Sequence, residues 1–160
     1  MLRGMVAIAI VAMLFSPVRA QTSDLRGTWT LVSSVTDKDG KKTEQFGHGA
    51  TGMMSLDGGG RFMLTIIGPD LPKFASGNRA GGTADENKAV VAKSIAMLGT
   101  YVYDATGKTL TFKVESASFA NWNGTVQTRR IVTATADDLQ YITATASSGG
   151  VGTVTWRRAK

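Results

Sequence analysis

The octet TLTFKVES, Thr109 to Ser116, decides the fold class. Leu110, Phe112 and Val114 alternate with Thr111, Lys113 and Glu115. A period of two puts the apolar side chains on one face of an extended strand and the polar ones on the other. Working outward, Ala105-Thr106-Gly107-Lys108 turns the chain back towards a strand over Gly99 to Asp104. Arg61 to Ile67 alternates Phe62, Leu64 and Ile66 on one face. Asp57-Gly58-Gly59-Gly60 is a turn, and Gly52 to Leu56 a short strand before it. Asp24 to Val35 carries GTWTLVSS, rich in the β-branched and aromatic residues that suit a pleated surface, and Asp37-Lys38-Asp39-Gly40 is its turn signal. Beyond the octet, Thr125 to Ala134 places Val126 and Val132 on one face and Ile131 on the other. Asp137-Asp138 leads into Leu139 to Ala144, and Ser147 to Gly150 into Val151 to Arg158. About eight short strands at hairpin spacing predict an all-β antiparallel barrel or sandwich.

One segment breaks the period. Thr83-Ala84-Asp85-Glu86 reads as a capping box, in which Thr83 and Glu86 satisfy each other's free amides. Val91, Ile95 and Leu98 follow at helical spacing, and Gly99 stands where a helix stop is expected. The spacing predicts one inserted helix over Ala84 to Leu98. Before it, Gly68 to Gly82 is a long loop carrying Leu71 and Phe74. A loop of that length is functional or mobile. Loop and helix together are expected either to form a movable cover over the barrel mouth or to dock on the outer wall.

The first twenty residues, MLRGMVAIAIVAMLFSPVRA, stand apart. Arg3 precedes an apolar run from Met5 to Phe15, and Val18-Arg19-Ala20 offers small residues for cleavage. This is the pattern of a secretory signal peptide over residues 1–20, and the run is about half the roughly 20 residues a spanning helix needs. Cleavage leaves one domain over 21–160 with a formal charge of +4, secreted or periplasmic and not an integral membrane protein. The 160-residue chain has 42% hydrophobic and 19% charged residues, too globular a balance for disorder. With no Cys and one His, it offers no disulfide framework, thiolate zinc site or multi-histidine metal site. Its basic residues are scattered, so nucleic acid is not an expected partner. Gly58-Gly59-Gly60 lacks the following Lys and helix of a phosphate loop, and no cofactor is expected.

The stretches GTWTLVS (Gly27–Ser33), Phe46-Gly47, GGGRF (Gly58–Phe62), PKFASGNR (Pro72–Arg79), GTYVYD (Gly99–Asp104), NWNGTVQTRR (Asn121–Arg130) and Trp156-Arg157-Arg158 occur in an order similar to the small bacterial and fungal lipocalin-like domain proteins. One departure is Ala50, near where that family often has Pro. The resemblance implies a lipocalin-like barrel of about eight strands. It also implies that a late Arg, here Arg157 or Arg158, covers an early Trp, here Trp29, at the closed end. Some relatives of the fold act as cyclases or isomerases on natural-product-like substrates, which leaves an enzyme as the alternative to a binder.

The expected partner is a small hydrophobic or amphipathic ligand inside the barrel. Tyr101 and Tyr103 share a strand face, and with Phe62, Phe112, Trp122 and the loop residue Phe74 they are the candidate lining. Arg129 and Arg130 point to opposite faces of one strand, so one enters the interior. Its partner is a ligand carboxylate or an internal carboxylate such as Glu115, unless a twist exposes both arginines, and Arg130 is counted among the ligand contacts. His48, between glycines, is expected to be an exposed loop residue without an orienting carboxylate.

Overall fold

The computed structural model describes residues 24–160. The expected signal segment, Met1 to Ala20, lies outside the described residues. The chain forms nine strands: β1 (Gly27–Lys38), β2 (Lys41–Glu44), β3 (Thr51–Leu56), β4 (Arg61–Ile67), β5 (Ser94–Asp104), β6 (Thr109–Ala117), β7 (Val126–Ala134), β8 (Asp138–Thr143) and β9 (Val151–Arg158). One α-helix, α1 (Ala84–Lys93), sits between β4 and β5, and a short 3-10 turn, Ala120–Trp122, between β6 and β7. No described helix is long and apolar enough to cross a membrane.

Every neighbouring pair is antiparallel, and β9 returns to pair with β1 from Trp29↔Arg158 to Asp37↔Val151. That pairing closes the sheet into a barrel and leaves no long free edge. On its other edge β1 pairs β3 near its start and β2 near its end, so those two strands share one stave. The closed wall therefore has the eight staves expected, and β2 is a strand the apolar pattern did not predict. Its sequence, KKTE, is exposed throughout and gives no alternation to read. What forms it is the turn: Asp39 and Gly40 both have positive φ, 55° and 80°, the geometry of a tight hairpin that matches strand twist.

The expected helix over Ala84 to Leu98 is too long. α1 ends at Lys93, and Ser94 is already extended. Ile95 and Met97 face the barrel interior, and Leu98 faces out. Ile95 pairs Ile66 across β4–β5, where a buried β-branched side chain gains more than in an exposed helical turn. Gly99 is correspondingly not a helix stop. It lies in mid-strand where β6 carries an extra residue, and an added Cβ would come within 2.0 Å of the Lys113 carbonyl oxygen. Only glycine admits so close a backbone.

The core fills one half of the barrel. Trp29, Trp156, Leu25, Leu56, Leu110 and Leu139 are almost wholly buried there. A bulge after Leu31 changes the inward parity of β1. Trp29 and Leu31 point in below it, and Ser34 and Thr36 point in above it. The bulge thus gives the upper barrel a polar lining that strict alternation would have given to Val35.

Candidate functional site

The two ends of the barrel are built differently. At one end the Trp29 ring lies across the interior, its indole N–H donating to the Leu25 carbonyl at 2.9 Å. The Arg158 guanidinium stacks over that ring, 4.2 Å from its centroid, and donates to the backbone carbonyls of Arg26 (2.6 Å), Asp24 (2.8 Å) and Ala136. Arg158, rather than Arg157, is the covering arginine; Arg157 is exposed and pairs with Asp138 at 2.9 Å. This end is sealed.

The other end is open. A vestibule of about 360 Å³ lies between α1, the segment around Phe46 and the loops after β6 and β8. Val90, Val91, Ile95 and Phe119 supply its apolar surface. Val91 is 75% exposed, large for a valine, because it faces this empty space. Gln45 reaches across to the Ser147 hydroxyl at 2.8 Å. Gln45, Phe46, Ile95 and Ser147 also border a smaller inner chamber, about 60 Å³, that continues into the barrel. A wider groove of about 700 Å³, lined by outward residues such as Ser33, Val35 and Lys42, runs over the outer wall and does not reach the interior.

The inner chamber is mostly apolar, with Leu64, Ile66, Met97 and Trp122 in its wall. Arg129 enters it from β7 and is 7% exposed. Ile131 is the inward residue that fixes this parity, so Arg129, two positions earlier, is inside and Arg130 is exposed. Arg130, expected as a ligand contact, faces outward instead, and Arg129 is the one of the pair that enters the interior. The Arg129 guanidinium donates to the Gln127 side-chain carbonyl and lies 5.8 Å from the centroid of Phe112. Burial pulls its pKa down from the usual range, and the nearby Tyr141 hydroxyl opposes that. Glu115 is not its partner; it pairs with Arg61 on the outside at 2.8 Å. Tyr141 is fully inside, and burial pushes its hydroxyl pKa up. The Trp156 indole is close enough to favour the ionised Tyr141 hydroxyl, but its N–H is buried without a partner in hydrogen-bond geometry.

The other expected lining residues are spread along the barrel. Trp122 borders the chamber and meets Phe119 edge to face at 5.6 Å. Phe62 and Phe112 stack at 4.4 Å in the filled core beneath it. Tyr101 is nearer the sealed end, its hydroxyl bonded to the Asp57 carbonyl at 2.8 Å, and Tyr103 packs on the core margin. Phe74 is half-buried in the loop before α1, its ring against Gly82. His48 is exposed as expected, but it has a carboxylate after all, Glu44 at 2.9 Å. Tyr141, Phe46 and Ser34 border the chamber and were missed by the sequence reading, which placed one of Arg129 and Arg130 inside without choosing between them. The Ile131 parity was the available signal for Arg129.

A family model described as a lipocalin-like domain matches residues 26–159. The chain belongs to this family. The match runs from the closing strand at the sealed end to its partner β9, so it spans the whole lipocalin-like barrel. No curated protein matches the chain. Among solved structures it is similar to a de novo designed fluorescence-activating β-barrel, at 13% identity and a TM-score of 0.43, over 84% of this chain and 93% of that one.

Proposed function

We propose that this lipocalin-like protein binds a small hydrophobic or amphipathic ligand, which passes between α1 and the Phe46 segment into the upper barrel. One observation carries the reading: an apolar vestibule at the open end and a chamber inside the barrel share Gln45, Phe46, Ile95 and Ser147 as a common border. The vestibule volume lies at the lower end of the range for small-molecule sites. The proposed setting is outside the cytoplasm, after removal of residues 1–20. Native mass spectrometry of protein purified from its own cells tests the binding, and a co-purified small molecule is the expected result. Empty protein that also takes up no neutral fluorescent probe overturns it. The intact mass of the exported form tests the setting. A start at Gln21 is expected, and intact Met1 in a membrane fraction overturns cleavage.

A further inference from the structure

The inner chamber holds a buried arginine, Arg129, with no carboxylate in the wall around it. Arg129 carries five N–H donors, and among the described residues the one partner found for them is the Gln127 carbonyl. Tyr141 borders the same chamber. No Asp or Glu lines either the chamber or the vestibule. The described carboxylates that form ion pairs do so on the outside, with Arg26, His48, Arg61, Lys93 and Arg157. A buried cation without a counter-ion is costly, and ordinary folds neutralise it. Here no carboxylate partner stands beside Arg129 among the described residues that border the chamber.

We propose that the inner chamber recognises the carboxylate head of an amphiphilic acid, with Arg129 as the cationic anchor and Tyr141 as a second donor. This rests on the ligand-binding reading of the same cavity and names the ligand's chemistry. A carboxylate only accepts hydrogen bonds, so it suits the Arg129 N–H groups that Gln127 does not take, and its two oxygens match the guanidinium fork. A chamber of about 60 Å³ admits a head group and not a whole ligand. The apolar tail then lies in the vestibule of about 360 Å³, against Val90, Ile95 and Phe119. Burial lowers the proton affinity of Arg129, and an anion beside it would favour the charged form.

The test uses the mature chain and displacement of a neutral probe, N-phenyl-1-naphthylamine, by dodecanoate, dodecanol and dodecylamine. Dodecanoate is expected to bind at least ~10-fold more tightly than dodecanol, with dodecylamine weakest, as the selectivity of a charge-assisted pair requires. Arg129→Met is expected to bring dodecanoate and dodecanol together while leaving the melting temperature equal or higher, because it removes an unpaired buried charge. A merely structural Arg129 would instead lower the melting temperature and leave the preference intact, which overturns the proposal. Should Arg129→Met not fold, the wild-type preference decides alone, and Arg129→Lys is expected to narrow it. Probe binding with equal dodecanoate and dodecanol affinities overturns the carboxylate reading and leaves the binding function standing. Absence of any probe or alkyl binding overturns both.

Discussion

The sealed and open ends of this barrel use arginine in opposite ways. At the sealed end Arg158 is half-buried over Trp29, and its donors meet the backbone carbonyls of Asp24, Arg26 and Ala136. At the open side Arg129 is more deeply buried, yet it has one neutral side-chain acceptor and the Phe112 ring beneath it. A satisfied cation locks structure, whereas a buried one with few acceptors costs free energy that a ligand acceptor would offset. The neighbouring elements follow the same division. The strands at the sealed end bury two tryptophans, whereas α1 has no buried residue and is held by its ends. Gly68 donates to the Lys93 carbonyl, and the Glu86 carboxylate takes amides from Thr83 and Ala75.

The contrast can be broken most forcefully at Trp29. Trp29→Ala is expected to destabilise the fold by about 3–5 kcal/mol, as deletion of a buried aromatic does. Chemical denaturation measures it, and a change under about 1 kcal/mol would mean that the ring does not plug the barrel. Next in size, Arg158→Lys keeps the charge but loses the fork and the stacking surface, and about 1.5–3 kcal/mol is expected. The control is Arg157→Lys, on an exposed pair, expected to cost under about 1 kcal/mol.

Hydrogen exchange sharpens the comparison at the open end. Amides of α1 are expected to exchange faster than those of β1 and β9, and to become protected when a probe fills the vestibule. Glu86→Ala should speed α1 exchange further, because it removes the carboxylate half of the capping box. Helix amides as protected as the β1–β9 seam, with or without probe, would mean a helix docked permanently rather than a cover.

The smallest effect is in acid. The Arg26 side chain bonded to Asp24 lowers its carboxyl pKa to about 2, from the model-peptide value near 3.8. A depressed folded-state pKa contributes stability that is fully present above the unfolded value and lost as pH falls through the folded one. This contribution should therefore be intact above about pH 4 and fade towards pH 2. A carboxyl chemical-shift titration reads it directly, and Asp24→Asn should flatten the acid limb of stability over that window.

How much of this was legible in the sequence depends on which physical effect set each feature. The strand faces of Phe62, Leu64, Ile66, Leu110, Phe112 and Val114 were legible because alternation and burial agree there. The end of α1 was not, since Ile95 and Leu98 satisfy a helical period while Ile95 and Met97 satisfy a strand period, and pairing with β4 decides between them. The inward polar residues Ser34 and Thr36 were hidden by a bulge that no local pattern announces. Alternation says which side of the wall a residue faces and nothing about its height. Tyr101, Tyr103, Phe62 and Phe112 were therefore rightly inside but near or below the filled core, while the cavity lies above them.

The β1–β9 seam also sets an order in time. The Arg158 bond to the Asp24 carbonyl joins residues 134 positions apart. Hairpins such as β3–β4 and β5–β6 can form as soon as they leave the ribosome, because their partners are adjacent in the chain. The first strand must wait for the last, with an unpaired edge throughout synthesis and a loop-closure entropy to overcome afterwards. Until the final residues arrive, the chain is an open ribbon and not yet a container.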